Sequence, residues 1–296
     1  MLFILLGILI IGVLLARKNW LSAQHVQWAS SWIIYVAMPA IALLNIPGLD
    51  INPDLAITIL SPLLTFALSA IIFYWALGSY LSSLEKLIFT IICGLANTSF
   101  LGFPVISALY PQEAMAYAIV YDQVNFLVLV CAAYSMIMAH TSGFKVKTLL
   151  IKIISFPAFL AVLIALVLPV DFFSGSVKTS LYYLGATMSP LAVLVVGYYI
   201  AHYVKSLPSK RIIFACIFCL VVTPLMVWGL FSIWPTDNLL IRNVTIMEAA
   251  TPPMITSAIL LMLHTGESRL TAQLLSWGSI GSIATIPLWY WLLQTF

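Results

Sequence analysis

The chain is written in apolar runs of about twenty residues, each closed by a polar or turn-rich break. A run of that length is what one helical crossing of a lipid hydrocarbon layer requires. Ten runs can be marked, near 2–16, 26–46, 55–80, 86–109, 113–139, 149–169, 178–204, 210–233, 239–263 and 270–294. Composition agrees: of 296 residues, 63% are hydrophobic and 7% charged, against ~25% charged in ordinary soluble chains. So little polar surface excludes a soluble enzyme, a nucleic-acid binder and a disordered chain. The expected fold is all-α and integral to the membrane, with ten transmembrane helices and no soluble domain. The net charge of +3 comes from few charges and implies no nucleic-acid partner.

Charge placement orients the spans. The first run is followed by Arg17 and Lys18, not preceded by them, and no A-x-A-like site follows, so it is expected to stay as a span. The odd-numbered connections hold Arg17, Lys18, Lys86, Lys145, Lys147, Lys152, Lys205, Lys210, Arg211 and Arg269, whereas the even ones hold only Lys178 and Arg242. Asp50, Asp54, Glu113, Asp171 and Asp237 fall on the even side. By the positive-inside rule the odd connections are cytoplasmic and both termini non-cytoplasmic in a multi-pass cell-membrane protein. Trp20, Tyr110, Tyr203 and Trp234 near span ends fit interfacial belts. His25, His140, His202 and His264 sit at cytoplasmic ends without metal-ligand spacing and are expected to be interfacial polar residues, whereas Cys216-x-x-Cys219 lacks a second pair or a nearby histidine, so helix packing is its expected role.

Two prolines recur at nearly one offset. Pro39 and Pro190 lie 190 − 39 = 151 apart, and Pro104 and Pro253 lie 253 − 104 = 149 apart. Five spans per repeat is odd, so the second repeat (149–296) must be inserted upside down relative to the first (1–140), with 141–148 as a cytoplasmic linker. Inverted repeats with helices interrupted at matching positions point to the midplane site of a secondary transporter. Proline removes an N–H and frees a carbonyl, so crossed breaks in spans four and nine would gather positive helix ends and bare carbonyls at one point.

Polar residues collect there. Span four reads Asn97-Thr98-Ser99 before Gly102 and Pro104, suited to hold a substrate or ion at the break, or to pack helices through small polar groups. Span five carries Asp122, Gln123 and Asn125; Asp122 lies nine residues past Glu113, so ~13 Å inward. It is either an ion-coupling group or a structural partner of the neighbouring broken helix. Span nine places Glu248 four residues before Pro252, ~9 Å inward from Arg242. Glu248 suits a proton carrier or an oxygen ligand for Na⁺, together with Asn97; the competing role is an acid satisfied by Thr251 or a buried partner. Arg242, on the outer side, is expected to be an interfacial anchor rather than a substrate clamp. The small residues from Ser276 to Ala284 fit close helix packing. No nucleophile–base set or metal motif calls for an enzyme or a bound cofactor beyond H⁺ or Na⁺.

The stretch GLANTSFLGFP, with Asn97-Thr98 followed by Gly102 and Pro104, resembles the fourth-helix motif of the auxin efflux carrier family, whose bacterial members include malonate and malate permeases. EAATPPM around Pro252 and Pro253 is similar to its ninth-helix crossover, and 270–296 to its last helix. The resemblance implies two inverted five-helix repeats, scaffold and transport parts, crossed broken helices four and nine, elevator-like movement, a homodimer, and transport of organic anions. Asn97, Gly102, Pro104 and Pro253 carry over as crossover residues, whereas Glu248 stands where plant members are expected to have a smaller or amide residue. The bile-acid/sodium symporters are the nearest rival. The expectation is a carrier of small organic anions, dicarboxylates among them. Asn97, Thr98, Ser99, Gly102, Pro104, Asn125, Pro252 and Pro253 form the substrate site, and Asp122, Gln123 and Glu248 couple the ion.

Overall fold

The computed structural model describes residues 2–295 apart from 48, 50, 52, 142–146, 148–150, 152–153 and 205–206. The expectations for Asp50, Lys145, Lys152 and Lys205, and most of the 141–148 linker, lie outside the described residues. Among those described there is no strand, only one isolated bridge. The helices are α1 (Leu2–Arg17), α2 (Ala23–Asn45), α3 (Leu55–Ala76), α4 (Ser83–Gly94), α5 (Thr98–Leu109) and α6 (Ala114–Thr141). After them come α7 (Pro157–Ala165), α8 (Gly175–Tyr203), α9 (Lys210–Ile233), α10 (Leu239–Ala249), α11 (Ile255–Thr265) and α12 (Ser268–Thr295). By length and composition α2, α3, α6, α8 and α9 are each long and apolar enough to cross a membrane.

Local chemistry starts and stops these helices. Ser22 with His25, and Ser82 with Glu85, form reciprocal capping boxes at the starts of α2 and α4, so two orphan N-terminal donors are satisfied at each. Asn238 caps α10 by accepting from the Ile241 N–H at 3.1 Å. Helix α11 ends on Gly266 at φ +71°, a left-handed position that glycine adopts without steric cost.

Prolines do not by themselves break the rods. Pro39, Pro62, Pro224 and Pro287 lie inside continuous helices, and Pro190 lies in the first turn after a one-residue turn at Thr187 within α8. Before three prolines the helix widens into a π turn: the N–H of Met38 reaches Ile33, Phe103 reaches Thr98 and Thr223 reaches Phe218, five residues back. The wider turn gives the ring of Pro39, Pro104 or Pro224 room. Pro104 thus sits inside a half-helix, and the interruption in the fourth apolar run lies upstream of it, at 95–97. The second interruption, at 250–254, contains Pro252 and Pro253.

Close backbone approach sets the packing. A Cβ on Gly12 would stand 2.7 Å from the Leu194 carbonyl, and one on Gly197 2.7 Å from that of Leu9, so α1 and α8 touch backbone to backbone as small residues allow in membranes. Helix α2 packs on α7 and on the first part of α8, while α3, α4, α6, α9 and α10 pack on one another. Where α1 and α8 face α5 and α12, a cavity of about 60 Å³ is lined by Leu5, Leu9, Leu101, Pro104, Val196 and Ile286.

Candidate functional site

The two interruptions meet. The Asn97 N–H donates to the Pro252 carbonyl at 2.8 Å, the Met254 N–H donates to the Leu95 carbonyl at 3.0 Å, and Ala96 bridges Pro253 antiparallel. Each break supplies what the other lacks, because unpaired backbone groups at membrane depth cost several kcal/mol each, by order of magnitude. Gly94 lets α4 run in close: a Cβ there would lie 2.8 Å from the Phe66 ring.

The bare carbonyls expected at the crossing are instead taken up. Asn125 Nδ2 donates to the Ala96 carbonyl at 2.7 Å, Thr223 Oγ1 to Ala249 at 3.2 Å, and Thr251 Oγ1 to Glu248 at 2.7 Å. Pro252 does deny Glu248 its helical N–H, but Thr251 replaces it. These partners lie on other helices or one turn away, so proline spacing alone gave no sign of them.

What remains unpaired at the crossing is side chain. Asn97 Nδ2, Gln123 Oε1, Asn125 Oδ1, the Tyr121 hydroxyl and both carboxyl oxygens of Glu248 are buried without a hydrogen-bond partner. Buried polar groups are nearly always paired, so these side chains are the ones at the crossing with hydrogen-bonding capacity left to offer. Glu248 is 0% exposed, and its carboxyl lies against the backbone of Gly102, filling the space any Cβ would need. Asp122 and Tyr121 are within electrostatic range of it.

Asp122, 2% exposed, is the opposite case. Thr98 Oγ1 donates to its Oδ1 at 2.5 Å, Ser99 Oγ donates to the same oxygen, and Gln123 Nε2 donates to Oδ2 at 2.9 Å. An acid is thereby held beside the N-terminal turn of α5, where a helix dipole favours negative charge. The hydroxyl protons of Thr98 and Ser99 are committed to it.

Of the eleven residues marked from the sequence, Asn97, Pro252 and Pro253 lie where the breaks pair, and Thr98, Ser99 and Gln123 gather on Asp122. Asn125 reaches the Ala96 carbonyl and Gly102 lies against Glu248, whereas Pro104 lines the apolar cavity with Leu5 and Leu9. Sequence reasoning missed Tyr121, Thr65 and Thr223. With Thr251 and Pro253 these line a cavity of about 10 Å³ behind the crossing, about the space of one water. It also missed the 2.6 Å hydroxyl pair Thr58–Thr245 joining α3 to α10. Among the described residues no group of three or more His, Cys, Asp or Glu side chains is arranged to hold a metal ion.

Apolar helices packed round a pair of interrupted, crossed helices define a multi-pass membrane protein with a polar centre. The chain belongs to the membrane transport protein family, whose model matches residues 1–290, the family of the auxin efflux carriers that its motifs resemble. It is 24% identical to an uncharacterized transporter of Methanothermobacter thermautotrophicus, over 96% of this chain and 94% of that one. It is likewise 24% identical to an uncharacterized transporter of Methanocaldococcus jannaschii, over 98% and 97%. The protein is a membrane transporter and not an enzyme.

Proposed function

We propose that the protein is a secondary active carrier of small organic anions, dicarboxylates included, driven by H⁺ or Na⁺. The observation that carries this is Glu248: a fully buried carboxyl whose two oxygens have no partner, at the meeting point of two broken helices. An ionised carboxyl in such a place is costly unless paired. It therefore takes up a proton, or a Na⁺ shared with Asn97, and gives it up when the site opens to water. Asp122, already served by three donors, has less room for a passenger. Its part is to hold the N-terminal turn of α5, through Thr98 and Ser99, in the shape that presents Asn97.

The substrate carboxylate then has the Asn97 amide and the uncapped N-terminal N–H groups of α5 and α11 to bind, since neither half-helix has a side-chain cap. Neutralising Glu248 with the coupling ion removes the repulsion that two acids would exert on an anion. Ion and substrate thus bind better together than apart, which is what coupling requires. In this reading the ten spans form two inverted repeats; α1, α2, α7 and α8 are the scaffold, and the remainder slides past them as an elevator along the apolar seam lined by Leu5, Leu9 and Val196. Both termini are non-cytoplasmic, and two copies pair through their scaffolds.

The test is uptake into proteoliposomes of labelled acetate, malonate, malate and a bile acid under imposed H⁺ or Na⁺ gradients. Saturable uptake of a small carboxylate that follows one gradient and vanishes in Glu248→Gln is expected. Uptake that ignores both gradients, or survives that substitution, overturns the coupling role. Preference for the bile acid supports the rival kind of carrier.

A further inference from the structure

Remote from the crossing, at the start of α10, a second polar group stands apart from the machinery above. Arg242 is half-buried, and its Nε donates to Asn243 Oδ1 at 3.1 Å; Asn243 Nδ2 in turn donates to the Leu293 carbonyl at 3.5 Å. This chain ties the guanidinium to the end of α12. The ion pairs among the described residues are Lys178–Asp171 and Arg211–Glu85, so Arg242 has no carboxylate of its own. One turn back on the same end of α12, the ring of Tyr110 is set edge-on to Tyr290 at 5.6 Å and its hydroxyl is buried and unpartnered.

We propose that Arg242 and Tyr110 form a docking site for a carboxylate at the start of α10, beside the end of α12. A guanidinium has five N–H donors in a planar fork. One is used, and the free edge fits both oxygens of a carboxylate, with the Tyr110 hydroxyl as a further donor. The position gives the site its purpose. Arg242 lies six residues before Glu248 on one helix, ~9 Å along the axis, and no Lys, Arg or His is among the buried polar residues. An anion approaching two buried acids meets its counter-charge here first. That it is then passed inward rests on the carrier reading above; the binding itself does not.

The experiment is saturation-transfer NMR of malonate and acetate with the purified full chain in nanodiscs, for wild type, Arg242→Gln, Arg242→Lys and Tyr110→Phe, with malonate uptake measured beside it. Losing a bidentate charged contact should weaken binding about tenfold in Arg242→Gln. Arg242→Lys, which keeps charge but not the fork, should fall between, and Tyr110→Phe should lose a few-fold. Uptake in Arg242→Gln should show a raised KM with kcat nearly kept. Wild-type protein that binds neither anion, or Gln and Phe variants that bind both as wild type does, would overturn the site. Arg242-dependent binding with no uptake of any carboxylate would leave the site standing and remove the carrier reading instead.

Discussion

Replacing Glu248 by methionine should make the protein more stable and leave it unable to use an ion gradient. The side chain is fully buried, and neither carboxyl oxygen has a hydrogen-bond partner. An unsatisfied buried polar group costs about 1–3 kcal/mol, and a methionine of similar volume removes that cost. The exchange gives back under ~1.5 kcal/mol in imperfect fit. With both terms at their upper values the net is a stability gain of about 1.5 kcal/mol, read as a higher unfolding midpoint of the purified protein in detergent, with gradient-driven uptake in proteoliposomes lost. The sign is decisive. If Glu248 were half of a buried pair, removing it would destabilise by about 3–5 kcal/mol, and that result, or wild-type uptake, would refute the reasoning.

Further outcomes follow from the same geometry. Gly102→Ala puts a methyl where the Glu248 carboxyl lies, so it should cost about 1–3 kcal/mol by overpacking and abolish uptake; Gly102→Ala with Glu248→Ala should regain the stability but not the transport, and strict additivity in this cycle would count against the contact. Asp122→Ala strands the hydroxyls of Thr98 and Ser99 and the Gln123 amide and should cost about 3 kcal/mol or more, whereas a variant of wild-type stability would show that Asp122 holds nothing. Asn97→Ala keeps the backbone bond to Pro252 and should raise the KM for substrate without lowering the unfolding midpoint; an unchanged KM removes the amide from the site. Pro104→Ala should impair transport more than expression, because the ring lies inside the half-helix and beside the apolar seam; full activity would speak against a role for that half-helix.

Run lengths carried the helices because span length is a local property of the sequence. The run marked 210–233 coincides with α9, and those marked 239–263 and 270–294 fall within two residues of the described ends. The crossing was legible for a similar reason: Asn97, Gly102, Pro104, Pro252 and Pro253 are residue types that end helices or satisfy their ends. Where the fourth run breaks was not legible from Pro104, since a π turn absorbs that ring and the interruption is instead stabilised by pairing with residues some 155 positions away. The fate of Asp122 was likewise hidden. Its donors Thr98 and Ser99 lie 24 and 23 residues back, and only the packing of α6 on the entry to α5 brings them together.

That packing separates two acids which the sequence presented as equals. Both are buried, and both stand within reach of the crossing, yet one accepts three hydrogen bonds and the other none. A carboxyl with three donors on two elements is suited to holding a helix end in place. A carboxyl with no donors has no comfortable charged state in the closed protein, and it changes state whenever water, a proton or a cation reaches it. The glycine opposite deepens the difference, because Gly102 leaves Glu248 room while offering it no hydrogen-bonding side chain. A gradient can do work only through a group whose charge depends on which side of the membrane the site faces. In the reading proposed above Glu248 is the group with that freedom, because Asp122 has its oxygens engaged by Thr98, Ser99 and Gln123.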